Sequence, residues 1–123
     1  MWRVCWADPE FGQILASSGN DMKICVYKEK DSSNSKVWEI LWDVQFDENI
    51  KDLKFAPKFL GLVLATVQAH GEIKFYSPIN MGKLSDWQEN LAPILTKQSI
   101  GEACCIEWNT AYDEPAMLAV GCD

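Results

Sequence analysis

The 123-residue chain suits one small domain, and with 48% hydrophobic residues it can bury a core. Its net charge of −7 and lack of any basic cluster argue against a direct nucleic-acid partner. No apolar run approaches a membrane span, so no membrane insertion is expected.

The first 27 residues alternate strand and turn signals. Trp2–Trp6 has Trp2, Val4 and Trp6 alternating with Arg3 and Cys5, the period of a strand with one apolar face. Ala7–Gly12 (ADPEFG) is a connector, because Asp-Pro and Gly are turn chemistry. Gln13–Ser18 is an apolar strand. Gly19, Asn20 and Asp21 form the next turn, where the Asp21 carboxylate can accept from nearby backbone N–H groups. Lys23–Tyr27 is a third strand.

The same pattern returns 49 residues later, at Lys51–Tyr76, without a gap over 26 positions. Six positions are identical, namely Ala7/Ala56, Gly12/Gly61, Leu15/Leu64, Ala16/Ala65, Ile24/Ile73 and Tyr27/Tyr76. Trp6 and Phe55 share a further position, which Trp108 occupies in a third copy that starts near Cys104. A repeat of this length implies a stacked or radial architecture.

Between the copies, Glu29–Lys36 (EKDSSNSK) reads as an exposed loop and Val37–Phe46 (VWEILWDVQF) as a fourth strand. Ile50–Phe55, Leu62–Val67 and Glu72–Tyr76 are the strands of the second copy. Its connector is Ala56–Gly61, and its tight turn is Ala69-His70-Gly71. In Ser77–Asn90 (SPINMGKLSDWQEN), Pro78 and Gly82 predict an interruption, and Leu84–Asn90 reads as a helical turn or two with Ser85 as N-cap. Leu91–Gln98 is then the candidate outer strand, with Pro93 suiting an edge. Ala103–Trp108 and Met117–Gly121 are the strands of the third copy, whose connector is longer by one residue around Tyr112–Glu114.

Four strands in about fifty residues, repeated, predict an all-β fold of propeller blades. The units are 1–49, 50–102 and a shortened 103–123, or about two and a half four-stranded blades, which cannot close a ring alone. Trp2–Tyr27 is expected to take its outer strand from upstream sequence, and the third copy is expected to continue past Asp123. The chain thus reads as a portion of a longer propeller, one that alone is unstable or self-associates.

Little chemistry competes with this reading. His70 is a lone histidine in a tight turn, and pairing it with Asp21, Asp43 or Cys25 supplies no recognisable catalytic set. The five cysteines (Cys5, Cys25, Cys104, Cys105 and Cys122) include no C-x-x-C pair and read as packed thiols in a reducing compartment. No metal or cofactor is expected, and no enzymatic activity. The position shared by Trp6, Phe55 and Trp108 predicts core packing between neighbouring blades. Trp38, Trp42 and Trp87 could pack on an adjacent blade or anchor a partner. Asp43, Asp47 and Glu48 read as a solvated rim.

LASSGNDMKICVY and LATVQAHGEIKFY resemble the end of a WD repeat, with Asp21 at the turn Asp position and His70 in its place in the second copy. The terminal Trp-Asp dipeptide is replaced by Tyr27-Lys28 and Tyr76-Ser77. VCWADPEFGQILASS, LKFAPKFLGLVLAT, MGKLSDWQ, and CIEWN followed by PAMLAVGCD are together similar to the Seh-one-type nucleoporins, relatives of the Sec-thirteen coat protein. ADPEFGQ with MGKLSDWQ separates this branch from the coat-protein branch. The resemblance implies a non-enzymatic WD-repeat scaffold of the Y-shaped nuclear pore subcomplex, supporting transport of mRNA and protein. Its implied partners are other nucleoporins, notably a helical-solenoid nucleoporin that donates a blade in trans. It implies a place at the nuclear envelope, and also in an amino-acid-signalling complex on the vacuolar or lysosomal membrane. No partner-binding residue is carried over. The alternatives are a vesicle-coat propeller and a general WD-repeat interaction adaptor.

Overall fold

The computed structural model describes residues 3–19, 21–30, 37–69, 72–80, 82–90, 103–109 and 118–122. Among the described residues ten strands form three antiparallel sheets. The first contains β1 (Arg3–Trp6), β2 (Ile14–Ser18), β3 (Lys23–Lys30) and β4 (Val37–Gln45), in that spatial order. The second contains β5 (Ile50–Phe55), β6 (Leu64–Gln68), β7 (Ile73–Asn80) and β8 (Lys83–Asn90), again in chain order. The third pairs β9 (Ala103–Trp108) with β10 (Leu118–Cys122). No α-helix occurs among the described residues. The fold is a partial, unclosed β-propeller.

The 49-residue repeat holds down to individual hydrogen bonds. Ala7 N–H donates to Ile14 C=O at 2.9 Å, and Ala56 N–H to Val63 C=O at 2.8 Å. Each connector contains a short 3-10 turn, Pro9–Phe11 and Lys58–Leu60, which the turn residues alone did not specify. Each is closed by a glycine N–H, Gly12 to Pro9 C=O and Gly61 to Lys58 C=O, both at 3.0 Å. These glycines have φ of +100° and +87°, a region that a side chain rarely allows.

The sheets stack face to face. β1 and β2 pack on β5, β4 packs on β8, and β5 and β6 pack on β9. Ile14, Ala16, Ile24 and Val26 of the first sheet bury against Leu53, Leu64, Tyr76 and Trp87 of the second. Ala65 and Val67 bury against Ile106 of the third. All five residues of β6 are buried, because its sheet is covered on both faces. Each large aliphatic side chain removed from water in this way contributes about 1.5–3 kcal/mol.

Four expectations are corrected. The outer strand beside Trp2–Tyr27 is β4, downstream of it, rather than an upstream segment. β3 runs to Lys30, beyond the expected start of the loop at Glu29, because Glu29 and Lys30 pair with Trp38 and Val37. β7 runs through Pro78 to Asn80. The proline is tolerated because β6 pairs with β7 only between Ile73 and Tyr76, so Pro78 lies beyond the inner ladder. Finally, Lys83–Asn90 is a strand, not a helical turn. Asn80 and Lys83 face each other across a tight hairpin, and Gly82 N–H donates to Asn80 Oδ1 at 2.8 Å, so Gly82 makes the turn instead of ending the strand pair. The expected loop over 31–36, the turn at His70, the strand Leu91–Gln98 and the connector near Tyr112 lie outside the described residues.

Candidate interaction faces and the joints between sheets

Strand register gathers the repeat positions into rows. Residues directly opposite in antiparallel strands share a face. Trp6 pairs with Leu15, Leu15 with Tyr27, and Tyr27 with Ile40, which makes one row across the first sheet. Phe55, Leu64, Tyr76 and Glu89 make the matching row across the second. Trp108 and Leu118 begin the same row in the third.

The rows differ in what covers them. In the second sheet the row lies on the first sheet. There Leu64 and Tyr76 are buried and Phe55 packs on the core. In the third sheet Trp108 packs on the core beneath it, beside Phe75 at 6.0 Å between ring centroids. In the first sheet the row points away from the second sheet. Trp6 is 57% exposed and Ile40 58% exposed, and Val4, two residues before Trp6 on the same face, is 66% exposed. Leu15 and Tyr27 are half-buried. Trp38 stands 5.8 Å from Trp6, ring to ring. The packing of Trp6 between blades, expected from the repeat, has no counterpart among the described residues. Its position is that of Phe55 and Trp108, but no described sheet lies over that face.

The opposite face of the first sheet is built for a neighbour. Cys5, Ala16, Val26 and Trp42 form its row and look towards the second sheet. Burial pushes the Cys5 thiol up to about 12, opposed by a hydrogen bond from the Phe55 backbone and by the Lys54 charge. Cys25 is half-buried and Cys105 exposed. The side chains of Cys104 and Cys122 lie outside the described residues. At the outer rim Trp42 stacks on Trp87 at 5.4 Å with a 19° interplanar angle, and Tyr76 stands 5.2 Å from Trp42. Trp87 is buried, and its Nε1–H donates to Leu84 C=O at 2.7 Å. Trp42 and Trp87 thus join sheets, while Trp38 is open to solvent. Burial also raises the Tyr76 phenol above its usual range, with the Glu89 and Glu72 charges adding to the rise.

Asp21 lies at an exposed turn, and its Oδ1 accepts weakly from Lys23 N–H at 3.3 Å. Met22 takes positive φ there, and Gln45 closes the corner by donating its Nε2–H to Asp21 C=O at 2.8 Å. Asp43 pairs with Lys23 at 3.2 Å on the surface, where water screens the pair.

Sequence reasoning passed over one charged residue at a joint. Asp52 is 5% exposed in β5, a strand that also carries Lys51 and Lys54. Its Oδ1 accepts from Leu53 N–H at 2.9 Å, and its Oδ2 accepts from Ile106 N–H on β9 at 3.0 Å. Two residues along, Trp108 Nε1–H approaches Lys54 C=O at 3.4 Å, and Lys54 Nζ stands 3.6 Å from Glu107. Nothing in the sequence sets it apart from Lys51 and Lys54, which stay partly exposed in the same strand; once buried, a carboxylate must find donors.

No family model matches the chain. Its full length aligns with curated relatives. It is 36% identical to nucleoporin SEH1 of Danio rerio over 133 aligned positions, which cover 100% of this chain and 35% of that protein. Identity is 37% to nucleoporin SEH1-A of Xenopus laevis and to nucleoporin SEH1 of Homo sapiens, covering 36% of each. The chain therefore spans about a third of the length of these relatives. Over its whole length, with its stacked four-stranded sheets, this chain is similar to about a third of the length of the SEH1-type nucleoporins.

Proposed function

We propose that the chain is a non-catalytic scaffold element of the nuclear pore, acting through sheet faces rather than through a reactive pocket. The observation that carries this reading is identity of 36–37% along its whole length with proteins named nucleoporin SEH1. The apolar face around Trp6, Val4 and Ile40 supports it, because such a surface suits packing against another sheet. In the finer reading the chain sits in the Y-shaped subcomplex at the nuclear envelope. Its partners there are other nucleoporins, including a helical-solenoid nucleoporin that adds a blade in trans, and the assembly supports transport of mRNA and protein. A second assembly on the vacuolar or lysosomal membrane, concerned with amino-acid signalling, would use the same element.

Affinity capture of the tagged protein from cells tests the proposal. Recovery of pore scaffold proteins is the expected result. Recovery of vesicle-coat components alone would move the chain to the coat-propeller branch and overturn it.

A further inference from the structure

The joint between the second and third sheets is made differently from the joint between the first and second. Among the described residues β9 pairs with β10 and with no other strand. Its Ile106 N–H points to the other side, where no strand of its own sheet lies among the described residues. The acceptor is the buried carboxylate of Asp52, on the innermost strand of the neighbouring sheet, at 3.0 Å. The other oxygen of the same carboxylate accepts from Leu53 N–H at 2.9 Å, so one side chain is tied to its own strand and to the next. One repeat earlier, 49 residues back, the position belongs to Arg3, which is exposed.

We propose that Asp52 is a strap that fixes the third sheet on the second and sets the register of β9 along β5. The arrangement requires a carboxylate. Two N–H donors approach the side chain from two directions, and only a group with an acceptor at each end satisfies both. An asparagine would set its NH2 against one of those donors. Hydrogen bonds to an ionised acceptor are the stronger kind, which suits a single link at a sheet edge. The neighbouring Lys54–Glu107 pair cannot substitute for it, because Glu107 is 70% exposed and the pair is screened by water. The strap also fixes the register. Ile106 stands 54 residues after Asp52, and Trp108 stands 54 after Lys54, so both polar links keep the same offset.

Residue-resolved deuterium exchange on the whole chain tests the strap. In the unmodified chain the Ile106 amide is protected although its N–H donates to a side chain rather than to a strand. With Asp52→Asn, Ile106 and the other β9 amides exchange about tenfold faster or more, while β2 and β3 amides keep their rates. Glu107→Gln, which removes only the surface pair, leaves β9 exchange unchanged. The proposal is overturned if Ile106 in the unmodified chain exchanges as fast as a free edge amide, a result that needs no variant to fold. It is overturned equally if Asp52→Asn accelerates all three sheets alike or none of them, or if Glu107→Gln has the effect assigned to Asp52.

Discussion

Gly12 and Gly61 occupy one repeat position, and each ends a 3-10 turn with positive φ and ψ near 180°. A Cβ at Gly61 would meet no atom within 4 Å, so an alanine there tests backbone strain without crowding. Gly61→Ala should cost about 1–3 kcal/mol, seen as a lower urea midpoint with an unchanged slope. A change within about 0.5 kcal/mol would mean that the turn relaxes freely. Cys5 offers a second test at this scale. Its thiol pKa is raised from 9.0 to about 12, so the folded chain keeps the proton after the unfolded chain has lost it. Stability from this group is complete below pH 9 and falls as pH rises towards 12. At pH 8 Cys5 should be alkylated much more slowly than exposed Cys105. Equal rates would contradict its burial. The glycines were legible because a repeat displays them twice. Asp52 was not, since one carboxylate in a strand carries no sign of which N–H groups will reach it.

At the scale of elements, most strands were legible from short apolar runs or period-two alternation, and β3 illustrates the second. Ile24 and Val26 are buried while Lys23 and Cys25 are half-buried. β8 was not legible. Its apolar residues Leu84 and Trp87 are spaced three apart, which mimics a helix turn, yet the hairpin at Gly82 pairs Trp87 with Pro78 of β7. The two readings of this segment separate cleanly by mutation. If Ser85 were a helix N-cap, Ser85→Ala would cost about 1 kcal/mol. As an exposed strand residue it should change stability by less than about 0.5 kcal/mol. Trp87→Ala should cost about 3–5 kcal/mol, because it removes a buried ring stacked on Trp42 across the joint between sheets. Thermal melts of the two variants check both figures. A larger loss from Ser85→Ala than from Trp87→Ala would restore the helical reading.

At the scale of the whole molecule, the 49-residue repeat made the stacked sheets legible. What each face meets was not, because a repeat position specifies a side-chain type and direction, whereas burial depends on which sheet lies beyond. Trp6, Phe55 and Trp108 show this. They are one position in three copies, and only the first is largely exposed. The central claim is that the first sheet presents a face shaped to be covered by another sheet. Left open in the isolated chain, that face should drive association. Sedimentation velocity over a wide concentration range tests this most directly. The account predicts that the 123-residue chain sediments as concentration-dependent oligomers, and that Trp6→Lys combined with Ile40→Lys shifts it towards monomer. A chain that stays monomeric at every concentration and unfolds in one sharp cooperative transition would contradict it.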